Sequence, residues 1–357
     1  MVVDENPLIL VINPGSTSTK VAVFSGKEKI KQKNIVHDGE ELSKFHSIWN
    51  QFDYRILAIE KFLTAVKVNG PFDAVVGRGG ILKPLKRGTY LVSEEMIKDA
   101  RQGIRGAHVS NLGCALADRI ADKYNCEAYI VDPVSVDEFE PKARYSGHPL
   151  FERRSLSHSL NLRAATFWAA EKLNINANEN SFIVAHLGSG ISIAPVKNGR
   201  VIDVNDASSA GPFSPERTGG LPLLPFIDLC FAGKYSKNKI IEMVMSKGGL
   251  MAYLGTKDLK KVEEMIEQGN ENALKVYLAM TYQIAKEIGA MATVVNGDVK
   301  AIVLTGGLAK SNKLVTEITG RVMFIAPIFV FSGELEMEAM AEGVLRILRN
   351  QEKVKEY

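Results

Sequence analysis

A chain of 357 residues, 46% hydrophobic and 24% charged, has room for two hydrophobic cores and reads as an ordinary globular protein, not a disordered or fibrous one. A formal net charge of +3 gives no reason to invoke nucleic acid, and the three cysteines, Cys114, Cys126 and Cys230, are too far apart for a zinc knuckle or a disulfide framework and are expected as buried thiols. No stretch approaches membrane-spanning length, and the start lacks the basic segment and long apolar core of a signal peptide, so a soluble, cytoplasmic protein without a membrane partner is expected.

The first element, Leu8 to Phe24, runs LILVINPGSTSTKVAVF. A β-branched strand meets a Gly/Ser/Thr turn, and apolar alternation then resumes with Val21 and Val23 on one face. Small residues around Gly15, with Ser16 and Thr17, let the backbone approach an anion, while Asn13 and Lys20 add polar and cationic contacts. The pattern is a phosphate grip inside a β-hairpin that turns at Ser25-Gly26-Lys27. It is not a Walker loop, because no helix follows. Taken alone, the stretch also reads as a plain hairpin with a polar turn.

Leu57, Phe62, Leu63 and Val66 stand at helical spacing between Ile56 and Val68, and Asn69-Gly70-Pro71 ends that helix. The short strand Ala74 to Val76 delivers Gly77-Arg78-Gly79-Gly80 at its carboxyl end, where open α/β sheets gather ligand-binding residues. Arg78 is placed to take a carboxylate or phosphate in bidentate fashion, or is a surface arginine in a turn. A Gly-rich loop with His108 leads to a helix over Leu112 to Tyr124, capped by Asn111 or Ser110. The strand Ala128 to Val131 then ends in Asp132-Pro133. From Val134 to Ser159 there is no clear periodicity, and Arg144, His148, Arg153, Arg154 and His158 crowd there. The domain boundary is placed near this segment.

After a helix over Leu160 to Lys172, Phe182 to Asp203 repeats the opening plan: strand, Gly/Ser turn, alternating Ile191 and Ile193, hairpin turn. Gly15 matches Gly188 and Gly26 matches Gly199 at one common offset, so the chain reads as two related halves, each opening with a phosphate hairpin, with a nucleotide between them. The long Ser/Gly/Pro-rich segment Val204 to Pro225 carries Glu216-Arg217-Thr218-Gly219-Gly220. Helical patterns follow over Pro225 to Ala232, Lys239 to Met245, Asp258 to Gln268 and Glu271 to about Val295. The strand Ala301 to Leu304 opens onto Thr305-Gly306-Gly307, a helix runs from Asn312 to Arg321, and Ile328 to Phe331 leads through Ser332-Gly333-Glu334 to a closing helix, Met337 to Asn350.

INPGSTSTK, AHLGSGIS and LTGG, in that order, with DVNDASSAGPFSPERTGGLP, SGELEMEAMAEG and GRGG, resemble the acetate/butyrate kinase family across nearly the whole chain, and most closely its butyrate kinase branch. The resemblance implies a duplicated, two-domain α/β fold of the actin-like, ribonuclease-H-like ATPases with a nucleotide cleft between the domains. The domains are expected at residues 1–159 and 160–336, with a C-terminal helix in 337–357 returning to the first. It implies a reversible ATP-dependent carboxylate kinase that converts butyrate and ATP to butyryl phosphate and ADP with Mg²⁺, and a homodimer or larger homo-oligomer. Isobutyrate, propionate or acetate are the alternative acids.

The chemistry this implies needs no strong base, because a carboxylate is already ionised at neutral pH. The protein must bring two anions together and spread positive charge over an in-line transition state. By resemblance, Arg78 holds the substrate carboxylate, Arg217 stabilises the transferring phosphoryl and Asp132 orients the reacting groups. Asn13 and Glu334 match magnesium-associated positions. Gly15, Ser16, Thr17 and Lys20, together with the turn from His186 through Gly188, Ser189 and Gly190, contact nucleotide phosphates. Gly306, Gly307 and the stretch Gly255 to Leu259, including Asp258, border the adenosine. The acetate branch carries a His-Gly-Thr-Ser-His run whose first histidine is linked to transition-state stabilisation, where this chain has RSLSH, with Arg154 in the first histidine's place and His158 in the second. His158 serves there or caps the next helix; His108 and His186 also match histidines of that branch. Ala107 and Arg153 stand where acetate kinases enclose the small acid with Leu and Phe, which implies room for a longer acyl tail, with the Arg153 head turned to solvent. Two rivals differ in class or acceptor: a non-catalytic actin-like protein, and a sugar kinase using an aspartate as base.

Overall fold

The computed structural model describes residues 6–66, 71–208, 210–333 and 335–357. The chain forms two compact units, Met1–Asp137 with Leu335–Tyr357, and Glu138–Glu334.

The first unit is built on strands β1 (Leu8–Pro14), β2 (Ser18–Ser25), β3 (Glu28–Val36), β4 (Ala74–Arg78), β5 (Thr89–Leu91) and β6 (Glu127–Val131), in the sheet order β3-β2-β1-β4-β6-β5. β1, β2 and β3 form an antiparallel meander, while β1, β4 and β6 run parallel. Ile9 to Ile12 on β1 are all fully buried, the continuous apolar run of a strand covered on both faces. β3 is an exposed edge whose lysines discourage further pairing. Helices α1 (Gly39–Ser43), α2 (Phe52–Val66), α3 (Glu94–Gln102) and α4 (Leu112–Tyr124) belong to this unit. Ile59 and Phe62 of α2 and Leu112, Leu116 and Ile120 of α4 join Leu10, Ile12, Val21 and Val23 in one core. Leu57, by contrast, points outward. α4 lies so close on β4 that a Cβ on Gly77 would stand 2.0 Å from the Gly113 carbonyl oxygen, so the first glycine of GRGG serves strand-on-helix contact.

The C-terminal helix Glu336–Leu348 packs on β1, β4 and β6 of this unit, and Thr89 Oγ1 donates to the Gly343 carbonyl at 3.1 Å. Beyond it, Lys355 bridges Tyr90, and Tyr357 Oη donates to Asp99 Oδ2 at 2.8 Å.

The second unit carries β7 (Ser181–Leu187), β8 (Ile191–Lys197), β9 (Arg200–Val201), β10 (Ala301–Gly306) and β11 (Ile328–Ser332), in the order β11-β10-β7-β8-β9. This order reproduces β6-β4-β1-β2-β3, so the internal repeat read from Gly15/Gly188 and Gly26/Gly199 is a repeat of topology. Asn198 and Gly199 both take positive φ, at 53° and 70°, in the two-residue turn between β8 and β9. Helices α5 (Ser159–Leu173), α6 (Leu223–Phe231), α7 (Lys237–Met245), α8 (Gly249–Leu254), α9 (Leu259–Glu267), α10 (Glu271–Val294) and α11 (Asn312–Val322) complete the unit. α10 is its central helix, burying Val276, Met280, Ile284, Ile288 and Met291 against β7, β8 and β10.

The sequence reading divides the chain at 159/160, whereas the compact units divide at Asp137/Glu138. The aperiodic segment is fastened to the second unit by polar contacts that leave no periodic trace: Arg153 pairs with Asp203 at 2.8 Å, and Glu140 N donates to the Ile202 carbonyl at 3.0 Å. Of the cysteines expected as buried thiols, Cys114 is buried, Cys126 is half-buried and Cys230, on α6, is exposed. Among the described residues, no helix is long and apolar enough to cross a membrane.

Candidate active site

In the first unit the carboxyl ends of the parallel strands β1, β4 and β6 stand side by side and carry Asn13, Arg78 and Asp132. Arg78 is buried, and its Nη1 has no hydrogen-bond partner among the described residues. A buried donor left open costs free energy that an arriving oxyanion would recover. Its Nη2 lies 3.9 Å from Glu336 Oε1, and the other oxygen of that carboxylate accepts a 2.7 Å hydrogen bond from Asn13 Nδ2. Asp132 is buried with φ at +39°, accepts from Gly88 N at 2.7 Å and donates its own N–H back to the Gly88 carbonyl at 3.0 Å. The strained backbone and the Gly88 clasp fix the carboxylate at the end of β6.

The loops around Arg78 are held by Asn111, the residue expected as a helix cap. Its Oδ1 accepts from Ile81 N at 2.8 Å and its Nδ2 donates to the Ala100 and Gly106 carbonyls, so it ties the GRGG loop to the His108 loop and caps nothing with its side chain. His108 instead accepts from Ser110 N at 3.2 Å. Protein atoms crowding the ring, and then the Arg78 guanidinium, lower the His108 pKa, so this imidazole is neutral at physiological pH. Ala107, beside it, is exposed.

The loop Gly15 to Ser18, expected from the sequence to receive phosphate, links β1 to β2, and Asn13 and Lys20 face each other across that ladder. Ser16 and Thr17 are exposed. Beneath the loop lies Arg55, a residue the sequence reading passed over because an arginine in an amphipathic helix normally faces solvent. It is fully buried, and burial lowers its pKa to about 10, which leaves it charged at neutral pH.

In the second unit the corresponding strand ends carry the turn His186 to Gly190, Gly306 with Gly307, and Gly333. Gly306 has φ +94°, and a Cβ there would stand 2.4 Å from the Leu187 carbonyl oxygen, so the two glycine-rich turns touch through their backbones. His158 stacks on His186 with ring centroids 4.2 Å apart, and its Nδ1 pairs with Ser192 Oγ at 2.9 Å. His158 occupies the N-cap position of α5, where its carbonyl accepts from Leu162 N at 3.0 Å, but its side chain makes no capping hydrogen bond and is turned instead to His186 and Ser192. Asn161 Nδ2 reaches His186 Nδ1 at 3.4 Å.

Arg217 lies over Gly190, where a Cβ would come within 2.6 Å of its Nη1. Nη1 donates to the Ala207 carbonyl at 3.2 Å, and the buried Nε has no partner among the described residues. Ser214 Oγ donates to the Ser189 carbonyl and accepts from Arg217 N at 3.1 Å, which welds the Arg217 loop to the second phosphate turn. Glu216, beside Arg217, pairs with Lys257 at 2.8 Å, and Asp258 caps α9 by accepting from Lys260 N at 3.0 Å.

Arg154 and Arg153 do not meet this cluster as expected. Arg154 is largely exposed and pairs through Nε with Asp206 at 3.2 Å. The Arg153 head does not turn to solvent: it spans both Asp203 oxygens and the Ala143 and Val204 carbonyls, because a guanidinium fork finds in Asp203 a bidentate partner that water cannot match. Glu334 lies outside the described residues. Glu336, two residues on, is the carboxylate that reaches Asn13 and Arg78. Its signal in the sequence is the run of glutamates in GELEME, which does not say which one faces inward.

A family model described as the acetokinase family matches residues 153–328. The chain is 48% identical over 351 residues to a protein described as probable butyrate kinase 2 from Caldanaerobacter subterraneus subsp. tengcongensis, a match that covers 98% of this chain and 99% of the other. The chain belongs to the acetokinase family. As an acetokinase-family member it is a phosphotransferase whose acceptor is a carboxyl group. Its fold is similar to that of an acetate kinase from Porphyromonas gingivalis, with a TM-score of 0.78 at 19% identity over 95% of this chain and 99% of that one. A propionate kinase from Francisella tularensis subsp. tularensis SCHU S4 follows, with a TM-score of 0.72 at 17% identity over 94% and 98% of the two chains. This acetokinase-family chain therefore has the two-domain actin-like ATPase fold that its motifs imply.

Proposed function

We propose that the protein transfers the γ-phosphoryl group of ATP to butyrate and runs the reaction in both directions. The observation that carries this reading is the 48% identity, end to end, with a protein described as a butyrate kinase. The unpartnered Nη1 of the buried Arg78 supports a carboxylate acceptor, since a fixed, desolvated guanidinium holds an acid's oxygens far better than a hydroxyl. In the reaction an oxygen of the butyrate carboxylate forms a bond to the γ-phosphorus as the bond to the bridging oxygen of ADP breaks. No proton has to be removed from the acceptor. Arg78 holds the acid, Arg217 meets the charge that spreads over the phosphoryl oxygens, and the clasped Asp132 orients the reacting groups without acting as a base. The Gly15 to Ser18 loop with Lys20, and the His186 to Gly190 turn, receive phosphates. The stacked His158 and His186 add donors at that turn. Gly306, Gly307 and the Asp258 stretch border the adenosine.

Magnesium fits the residues present. The described residues offer no cluster of three acidic or histidine ligands, but Mg²⁺ ordinarily takes one or two carboxylates and fills its other positions with substrate phosphates and water. Glu336 and Asn13 would hold it, and bound there it would neutralise nucleotide phosphate charge. A homodimer or larger homo-oligomer in the cytoplasm completes the reading. The oligomer is supported by α6, which buries none of its residues and exposes Leu223, Leu224, Ile227 and Phe231 together.

An acyl-hydroxamate assay across unbranched and branched acids of two to six carbons tests the assignment. Hydroxamate that requires ATP and peaks at butyrate is expected. ATP turnover that ignores every acid would instead fit a non-catalytic or hydrolytic protein, and phosphorylated alcohols would fit a sugar kinase.

A further inference from the structure

Among the described residues of the first unit, no carboxylate pairs with the buried cation Arg55. All five N–H donors of the fully buried Arg55 are used: Nε and Nη2 donate to Gln51 Oε1 at 3.1 and 2.9 Å, Nη2 also to the Ser16 carbonyl at 3.4 Å, and Nη1 to the Ser18 carbonyl at 3.0 Å and Thr19 Oγ1 at 2.9 Å. Every acceptor is neutral. A buried charge without a counterion is expensive, and such groups are usually paired. Two of the acceptors are carbonyls of the first phosphate loop, so the uncompensated charge lies directly under the segment read as receiving phosphate.

The rest of the network fixes the loop's peptide orientation. Thr19 Oγ1 accepts from Arg55 and so turns its proton toward His37 Nε2, 2.8 Å away. Burial, and then the Arg55 charge, hold the His37 pKa at about 4, in keeping with a neutral ring that accepts at Nε2. The His37 backbone N–H donates to the Thr17 carbonyl at 2.9 Å and Gly15 N to the Ser18 carbonyl at 2.7 Å. The carbonyls of Ser16, Thr17 and Ser18 are thus all engaged within the protein. In a planar trans peptide the N–H points opposite to its carbonyl, so drawing the Ser16 carbonyl to Arg55 aims the Thr17 N–H away from the guanidinium.

We propose that Arg55 is a positioning residue for phosphate: its fork sets the Gly15 to Ser18 loop so that backbone N–H groups face the ligand, and its unneutralised charge strengthens the hold on the nucleotide's phosphates. The inference rests on the nucleotide reading of this loop, and it separates the phosphates from the rest of the nucleotide. Calorimetric titration of the full chain with ADP and with adenosine tests it in wild type, Arg55→Met and Arg55→Lys. Arg55→Met weakens ADP binding about tenfold or more while adenosine affinity stays within about twofold, because adenosine carries no charge for Arg55 to attract. Arg55→Lys keeps the charge, loses the fork and falls between. ADP affinity unchanged in both variants, or ADP and adenosine weakened alike, overturns the proposal and leaves Arg55 a structural brace. If Arg55→Met yields no folded protein, Arg55→Lys decides by the same split. A wild-type chain that binds no ADP overturns the nucleotide reading itself, a result distinct from either variant outcome.

Discussion

Asn13 and Glu336, separated by almost the whole chain, are joined by a 2.7 Å hydrogen bond from Nδ2 to Oε2. The first strand and the last helix of the first unit thereby present one amide and one carboxylate together, with the Arg78 guanidinium 3.9 Å from the second carboxylate oxygen. If this pair holds the nucleotide's magnesium, Glu336→Ala lowers kcat by about 10² and raises the Mg²⁺ concentration needed for half-maximal rate. The nearby Glu338, which pairs with Lys29 at 2.7 Å, serves as the control, and Glu338→Ala leaves the magnesium dependence unchanged. A Glu336→Ala enzyme with wild-type magnesium dependence would return Glu336 to a structural role.

Arg217 and Gly190 give a paired prediction. If Arg217 meets charge that develops in the transition state, Arg217→Ala lowers kcat by about 10² or more with little change in nucleotide KM. Gly190→Ala puts a methyl group where Arg217 Nη1 now lies, at 2.6 Å from the new Cβ, and displaces the guanidinium without deleting it. The same pattern in steady-state kinetics, with both variants folded by circular dichroism, is expected. A kcat within a few-fold of wild type in both would remove Arg217 from the chemistry.

His37 makes stability depend on pH in a definite direction. Its folded pKa is lowered from 6.5 to about 4, so between those values the unfolded chain binds a proton that the folded chain does not. Stability from this group is intact above pH 6.5, is lost progressively as pH falls toward 4, and changes no further below that. His37→Gln keeps an acceptor for Thr19 and removes the titration. Thermal unfolding of wild type and variant across this range checks it, with the variant's midpoint falling less steeply on acidification. Parallel curves would contradict the assignment.

The sequence carried the strand ends well and the polar braces poorly. Asn13, Arg78, Asp132 and the two glycine turns were legible because each follows an apolar run that stops at a turn, and sheet topology then sets those ends side by side. α3 and β5 went unread: β5 has three residues, and α3 is mostly polar, although Ser93 and Gly103 cap its two ends. Arg55 and Glu336 were missed, and the role of Asn111 was misassigned, for another reason. Their side chains brace other loops and elements, and no periodicity distinguishes a buried arginine or an inward glutamate from a solvated one. Arg153 was misread for the same reason, since nothing local announces that Asp203 waits for it.

Chain length gives a quantitative expectation. If Ala107 borders the acyl tail, as the family resemblance implies, two more buried methylenes at about 0.8 kcal/mol each favour butyrate over acetate by roughly 15-fold in kcat/KM. Ala107→Leu shifts preference back toward acetate or propionate. A profile unchanged by Ala107→Leu would remove that position from the acyl pocket.

The origin of the transferred oxygen tests the central claim most directly. With butyrate labelled by ¹⁸O at both carboxylate oxygens, incubation with ATP and Mg²⁺ followed by hydroxylamine cleaves the acyl phosphate at its carbonyl carbon, and mass spectrometry reads the released phosphate. Direct attack of the carboxylate on the γ-phosphorus predicts phosphate carrying one ¹⁸O atom, with the second retained in butyryl hydroxamate. Unlabelled phosphate, formed at a rate indifferent to butyrate, would show that water and not the acid is the acceptor.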